Sequence, residues 1–240
     1  MKLSVILPTY NEVGNIINLI NLIIKNVPPQ WDYEIIVVDD NSPDGTYQAV
    51  RDSFTGNDAI IPLLRTTDRG FAKSIRAGVE KACGDQILVM DTDLTHDPIE
   101  IPKMLHVAQV YDLVSGSRFC QGGNMESTSH YLASLVYNWL LRIILRTQIQ
   151  DNLGGYFTIS LQNLRRLPYD KIFYGYGEYF FRLLHYAQKT GLSLVEVPAY
   201  YRFRQKGKSK SKFFKMLFSY LAGAVALVLS DKGERQSTAR

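Results

Sequence analysis

The 240-residue sequence has few of the features that mark several large classes of protein. It contains only two cysteines, Cys83 and Cys120, which lie far apart and lack the spacing of a metal site. It has no low-complexity tract and no internal repeat. No signal-peptide pattern precedes the first apolar run, which begins near Lys2. These absences predict one large globular domain with free thiols, in a reducing cytosolic setting.

Two phosphate-binding signatures are also missing. No G-x-G-x-x-G motif follows the first predicted strand, so the chain lacks the main mark of a dinucleotide-binding Rossmann domain. A Walker-type phosphate loop is absent as well. Both of these nucleotide-binding classes are therefore disfavoured.

Acidic residues are absent from one long stretch, residues 199–230. Seven cations fall within it, although the net charge of the whole chain is only +4. The rest of the chain has 20 basic and 23 acidic residues. The positive charge is therefore local, and it predicts an anionic ligand or surface near the C-terminal end.

Short apolar runs alternate with helical patterns along the first half of the chain. The predicted strands are residues 3–8, 33–38, 60–64, 87–90 and 113–117, and the predicted helices are 16–27, 47–53 and 71–83. Such alternation is typical of βαβ units and predicts a mostly parallel sheet flanked by helices.

The fourth predicted strand ends in an acidic segment with Asp91, Asp93 and Asp97. Two carboxylates two residues apart, at the carboxyl end of a parallel strand, lie where open α/β sheets bind ligands. Mg²⁺ typically takes one or two carboxylates together with substrate phosphates. The segment could equally be a solvated acidic turn, but polar residues also follow the first and second strands, and three strand ends would converge on one crevice.

Several motifs together resemble the polyprenyl-phosphate sugar synthases, the dolichyl-phosphate mannose synthase-like inverting glycosyltransferases with the GT-A fold. The motifs are PTYNE at 8–12, VVDDNSPDGT at 37–46, Gly70 to Gly78, MDTDLTH at 90–96, VSGSRF at 114–119 with Gly122 and Gly123, and residues 204–210. The resemblance covers residues 2 to about 210 in the family's order.

The resemblance implies a metal-dependent transfer of mannose or glucose from GDP-mannose or UDP-glucose to a polyprenyl phosphate, and no nucleic acid partner. The nucleoside pocket would be lined by Pro8, Tyr10, Glu12, Asp39 and Asp40. Mg²⁺ or Mn²⁺ would be held by Asp91, Asp93 and Thr95. The phosphates of donor or acceptor would be contacted by Arg118, His130, Ser134, Arg204 and Lys210.

Departures from the family's pattern fall in the acceptor half. His130, Leu153 and Phe157 replace an arginine, a threonine and an arginine that the family usually has. A second hypothesis is therefore transfer to a saccharide or lipid hydroxyl, with Asp151 or Glu178 as the base that such an acceptor needs. A third is a nucleotide-sugar-binding module with an impaired acceptor site, which the intact Asp91 and Asp93 disfavour.

Two apolar segments predict contact with a membrane surface. Residues 131–146 carry aromatic and arginine side chains suited to an interface. Residues 211–230 follow the basic run and are at the short limit for a spanning helix, so a helix in the interface is favoured. The predicted organisation is a catalytic domain at 1–210, an interface helix at 211–230 and a polar tail at 231–240, peripheral or monotopic on the cytoplasmic face of a membrane.

Overall fold

A computed structural model describes residues 1–202 and 213–238 of the chain, and the side chains of these residues except 129, 213–217 and 231–238. Most of the strands lie in one seven-stranded sheet. The strands are β1 (Lys2–Thr9), β2 (Asp32–Asp39), β3 (Ile60–Leu64), β4 (Gln86–Val89), β5 (Leu113–Ser117), β6 (Asn124–Met125), β7 (Phe157–Ser160), β8 (Leu194–Pro198) and β9 (Tyr200–Tyr201).

The sheet has the strand order β3-β2-β1-β4-β7-β5-β8. Every neighbouring pair is parallel except those of β7, which runs antiparallel to β4 and β5. The five strands predicted from sequence are confirmed, as is the mostly parallel sheet. Strands β7 and β8 were not predicted, since each is a four- or five-residue segment with polar residues inside it.

Helices cover both faces of the sheet. They are α1 (Ile16–Asn26), α2 (Thr46–Ser53), α3 (Phe71–Lys81), α4 (Ile101–Val107), α5 (Thr128–Leu145), α6 (Leu161–Leu164), α7 (Tyr169–Ile172), α8 (Glu178–Lys189) and α9 (Phe213–Thr238). The strands β1 and β2 are apolar on both faces because a buried core cluster lies on each side of the sheet.

Gly78 allows α3 to lie close against the sheet. A Cβ atom at this position would be 2.4 Å from Cγ2 of Ile6 and 3.1 Å from Cγ2 of Val38. A glycine therefore sets the distance between α3 and the central strands, and with it the position of the residues at the start of α3.

The carboxyl ends of β2, β1 and β4 lie side by side, as the sequence predicts. Thr9 at the end of β1 pairs with Asp39 at the end of β2, and Ile6 pairs with Val89 at the end of β4. The polar segments that follow these strands therefore share one edge of the sheet, which is where open α/β sheets bind ligands.

The C-terminal helix is longer than the sequence predicts. It extends to Thr238, through much of the segment expected to be a polar tail. Lys232, Glu234 and Arg235 are good helix formers, and the helix continues across the less favourable Gly233. Among the described residues, no helix is both long enough and apolar enough to cross a membrane.

Candidate active site

A cavity of about 760 Å³ opens at the carboxyl edge of the sheet. It brings together eight of the residues predicted from the sequence: Pro8, Tyr10, Glu12, Asp40, Asp91, Asp93, Arg118 and Ser134. Residues at and after the ends of β1 and β2 line one half of the cavity, which we call the nucleotide half because the family resemblance predicts the nucleoside there. Residues from α5, the 153–155 loop, the 176–179 segment and α9, together with Phe71 and Arg118, line the other half, which we call the acceptor half for the same reason.

Asp40 fixes the wall of the nucleotide half. Its Oδ1 accepts a hydrogen bond from Arg65 at 2.6 Å, and its Oδ2 accepts one from the backbone N–H of Gly70 at 2.7 Å. Arg65 also donates to the hydroxyl of Ser74 on α3. The carboxylate thus joins the end of β2 to the loop after β3 and to the start of α3.

Asp39 has a different position from the one predicted. Its side chain is fully buried and does not line the cavity. It accepts hydrogen bonds from the backbone N–H of Ser42 at 2.8 Å and from the hydroxyl of Ser42 at 2.5 Å. These bonds close the turn after β2. Asp39 therefore stabilises the backbone next to the nucleotide half without lining the cavity.

Asp91 and Asp93 both line the cavity between its two halves. Thr95, the third predicted metal ligand, does not line it. Its hydroxyl donates to Oδ1 of Asp93 at 2.6 Å, and its backbone N–H donates to the same oxygen. In this structure Thr95 therefore orients Asp93, and direct ligation of a metal by Thr95 stays a prediction.

This donor set fits a divalent cation shared with a substrate. Among the described residues, no group of three or more acidic, histidine or cysteine side chains is placed to hold a metal. Two carboxylates facing an open cavity are instead what Mg²⁺ uses when substrate phosphates supply further oxygen ligands. The pair therefore suits a cation that binds together with a diphosphate.

His96 supports this acidic loop from behind. Its Nδ1 accepts a hydrogen bond from the backbone N–H of Asp91 at 2.9 Å, and the ring also hydrogen-bonds to the backbone of Gly154. The ring is buried, stacked on Tyr156 and edge-on to Tyr201. Burial lowers the pKa of His96 to about 4, so the imidazole is neutral at pH 7.

Arg118 lines the cavity, but its charge is already paired. Its Nε and one terminal nitrogen donate to the two oxygens of Asp151 at 2.8 and 2.7 Å. Asp151 also accepts the backbone N–H of Arg118. Burial would lower the pKa of Arg118, yet the Asp151 carboxylate keeps it above its ordinary value. The pair is a bidentate, largely desolvated contact that fixes the loop after β5.

The remaining predicted phosphate contacts fall in three different places. Ser134 lines the cavity from α5. His130 is exposed in the first turn of α5 and is not among the lining residues, because the cavity begins one turn further along the helix. Arg204 and Lys210 lie outside the described residues.

The sequence alone did not reveal how aromatic the acceptor half is. Four tyrosines line it, together with Leu153 and Phe71: Tyr137, Tyr176, Tyr179 and Tyr220. Burial raises the pKa of Tyr137 to about 12, so its hydroxyl stays protonated at neutral pH. The sequence did contain a signal for this lining, because Tyr137 and Tyr220 lie within otherwise apolar helices. The hydroxyl group of such a tyrosine often faces a cavity.

Neither carboxylate proposed as a base for a hydroxyl acceptor lines the cavity. Asp151 is fully buried and bound to Arg118. Glu178 begins α8 and accepts the backbone N–H of Tyr176 at 3.0 Å. Phe157 lies in the core, stacked on Phe180, and does not line the cavity.

The fold and the site define a class of protein. A mostly parallel sheet with a paired-aspartate cavity at its carboxyl edge is the arrangement of the nucleotide-diphospho-sugar transferases with the GT-A fold. Residues 4–173 match the model of the family "Glycosyl transferase family 2". The chain therefore belongs to glycosyl transferase family 2.

Curated relatives share about a third of their residues with this chain. A dolichol-phosphate mannosyltransferase of Pyrococcus furiosus is 33% identical over 92% of this chain, which spans 62% of that relative's length. An undecaprenyl-phosphate mannosyltransferase of Micrococcus luteus is 31% identical over 88% of this chain and 87% of its own.

Solved structures support the fold alone. A glucosyl-3-phosphoglycerate synthase of Mycobacterium tuberculosis, in complex with Mn²⁺, UDP and glucosyl-3-phosphoglycerate, superposes with a TM-score of 0.72 at 20% identity. The match covers 94% of this chain and 79% of the synthase. The same synthase with Mg²⁺ and UDP gives a TM-score of 0.71.

Proposed function

We propose that this protein transfers mannose, or alternatively glucose, from a nucleotide diphosphate sugar to a polyprenyl phosphate at the cytoplasmic face of a membrane. The observation that carries the proposal is the distribution of charge in the cavity. The carboxylates among its described lining residues are Glu12, Asp40, Asp91 and Asp93, and all of them belong to segments that follow β1, β2 and β4.

The acceptor half is suited to a nucleophile that needs no base. A hydroxyl acceptor requires a carboxylate or imidazole within reach, and the described lining of that half contains neither. A lipid phosphate is already anionic near neutral pH, since its second pKa is about 6. The chemical problem is then to bring one phosphate anion up to another.

The acidic loop would hold Mg²⁺ or Mn²⁺ against the donor diphosphate through Asp91 and Asp93. When bound, the cation would neutralise the charge that develops on the leaving nucleotide. Thr95 and His96 keep the two aspartates in place from outside the cavity. Pro8, Tyr10, Glu12 and Asp40 would surround the nucleoside.

In this proposal, Arg204 and Lys210 are the cations that bind the acceptor phosphate. Arg118, a lining cation of the acceptor half, is already neutralised by Asp151. The chain enters the basic segment at Arg202, whose backbone N–H donates to the carbonyl of Thr95 and whose side chain pairs with Asp97. The basic segment thus begins next to the loop of Asp91 and Asp93.

Two exposed apolar stripes support contact with a lipid surface. On α5 the stripe consists of Leu132, Val136, Trp139 and Ile143, each more than half exposed and spaced as one helical face. On α9 it includes Phe218 and Leu229. Because α5 and α9 also line the acceptor half, a lipid bound to these stripes would lie close to the site of transfer.

The names of the relatives favour mannose, so GDP-mannose is the first donor to test. Purified protein would be incubated with labelled GDP-mannose or UDP-glucose and with vesicles containing a polyprenyl phosphate or, as the matched control, the corresponding polyprenol. We expect acid-labile labelled lipid from the phosphate only, and only with Mg²⁺ or Mn²⁺ present. Acid-stable product from the polyprenol would contradict the proposal.

A further inference from the structure

One wall of the acceptor half is a short loop, residues 173–177, between α7 and α8. Tyr176 and Gly177 of this loop line the cavity. The ring of Tyr176 contacts that of Phe71 at the start of α3, with centroids 5.1 Å apart. Since Gly70, just before Phe71, donates to Asp40, the loop reaches from the acceptor half to the wall of the nucleotide half.

Two anchors of this loop come from α8, its immediate neighbour in the sequence. The Nε of Arg182 donates to the carbonyl of Ile172 at 3.1 Å, and its guanidinium also donates to the carbonyl of Tyr174. Glu178 accepts the backbone N–H of Tyr176 at 3.0 Å. These contacts are local, since each joins residues no more than 10 positions apart in the sequence.

The third anchor comes from the C-terminal helix. The backbone N–H of Gly177 donates to the hydroxyl oxygen of Tyr220 at 3.0 Å, across 43 residues of sequence. The side chain of Tyr220 is buried, lies edge-on to Phe181 of α8, and itself lines the cavity. Tyr220 thus joins α9 to the loop and to the cavity at once.

Only a glycine at 177 allows this close approach. A Cβ atom there would be 2.7 Å from the hydroxyl oxygen of Tyr220 and 3.4 Å from Cζ of the same ring. The φ angle of Gly177 is −69°, a value that other residues adopt freely. The need for glycine therefore comes from the contact with Tyr220 and not from the backbone conformation.

We infer that Tyr220 is a positioning residue, through which the C-terminal helix holds the 173–177 loop in the place where the acceptor binds. The inference rests on the proposed function of the cavity and adds a dependence of acceptor binding on α9. Because α9 also carries exposed apolar residues, the same contact links the surface-binding helix to the wall of the site.

The direct test is Tyr220→Phe, which keeps the packed ring and removes the hydroxyl. The partly buried N–H of Gly177 then loses its acceptor, so we expect faster amide hydrogen exchange in the peptide that covers 173–177. With GDP-mannose and a short-chain polyprenyl phosphate, the acceptor KM should rise roughly tenfold. The calorimetric affinity for GDP with Mn²⁺ should stay unchanged. Tyr111→Phe, at an exposed tyrosine remote from the cavity, is the matched control.

A second variant tests the contact from the other side. Gly177→Ala should raise the acceptor KM in the native background, because its methyl group meets the Tyr220 hydroxyl. In the Tyr220→Phe background the hydroxyl is gone and the added methyl costs less. The two substitutions should therefore be less than additive, as expected for residues in contact. Thermal unfolding of each variant checks that it folds.

The outcomes separate this inference from the proposed function. Unchanged exchange at 173–177 in Tyr220→Phe, or a native acceptor KM with strictly additive effects, overturns the inference while the proposed function stands. If the native protein transfers no sugar to polyprenyl phosphate, the proposed function fails. Hydrogen exchange still decides whether Tyr220 anchors the loop.

Discussion

Asp93 lines the cavity and is oriented by a neighbouring residue. The Thr95 hydroxyl and the Thr95 backbone N–H both donate to its Oδ1. A carboxylate held in this way at an open cavity is consistent with the way that Mg²⁺ bridges protein and substrate phosphates.

Replacing Asp93 by Ala or Asn should abolish metal-dependent transfer, with a loss in kcat of about a hundredfold or more. The reason is that the cation would lose one of its two protein ligands. Transfer rates measured over a Mn²⁺ titration would check this, with Asp58→Ala in an exposed turn as the control. Native activity in Asp93→Ala, with an unchanged melting temperature, would rule out the assigned role.

His96 is a buried neutral group that acts on the site only through others. It binds the backbone N–H of Asp91 and the backbone of Gly154, so it joins the loop of the aspartates to the acceptor-side loop. A change of about 1 Å in such a position can cost roughly a hundredfold in rate.

We expect His96→Ala to lower kcat by roughly ten- to a hundredfold and to weaken Mn²⁺ binding measured with GDP present. His96→Asn keeps an acceptor near the position of Nδ1 and should recover part of both losses, because Asp91 retains its support. His106→Asn, at an exposed histidine on α4, should behave as the native protein. A His96→Asn variant no better than His96→Ala would show that the bond to Asp91 is not the important one.

At the scale of the element, α5 is apolar on two opposite faces. Tyr137, Leu141 and Leu145 pack into the core, while the stripe of Leu132, Val136, Trp139 and Ile143 faces outward. When a helix has a second apolar face that is exposed, that face normally binds a partner protein or a membrane.

Substitution of this stripe should reduce binding to anionic vesicles. We expect Trp139→Glu to lower co-sedimentation with phosphatidylglycerol vesicles by roughly tenfold, because a charge would enter the interface. Val110→Glu, at another exposed apolar residue away from α5, is the matched control. The chain has only two tryptophans, and Trp31 is buried, so a blue shift of fluorescence on vesicle binding would report Trp139. Equal binding by the two glutamate variants would contradict a role for α5.

At the scale of the whole molecule, the edge of the sheet opposite the cavity is held by a buried carboxylate. Glu34 pairs with Lys2 at 2.7 Å and accepts hydrogen bonds from the Ser4 hydroxyl and the Cys83 N–H. Burial alone would raise the pKa of Glu34, but these partners lower it to about 2. The charged form is thus favoured by folding.

The free energy of unfolding should therefore fall as the pH drops from about 4.5, the ordinary pKa of the carboxyl, toward about 2. Above that range the contribution of Glu34 is fully present. Urea unfolding across this range should show a shallower pH dependence for Glu34→Gln than for the native protein. Glu80→Gln, at an exposed helix position, should leave the slope unchanged. Parallel pH curves for the native protein and Glu34→Gln would contradict this account.

The central sheet and the acidic residues that follow its strands could be predicted from the sequence. Apolar runs such as β1 and β3 are fixed by local composition, and parallel strands must bring their carboxyl ends to one edge. Asp91 and Asp93 were expected at this edge from their position after a buried strand, and they line the cavity. Asp40 was expected there from the family resemblance, and it also lines the cavity.

The contacts that shape the acceptor half could not be predicted from the sequence. Whether Arg118 is free or bound depends on Asp151, and whether Gly177 faces solvent or Tyr220 depends on where α9 packs. Asp39 and Asp40 are adjacent and chemically alike, yet one closes a turn while the other lines the cavity. Such contacts join residues far apart in the chain, and no local pattern specifies which pairs will meet.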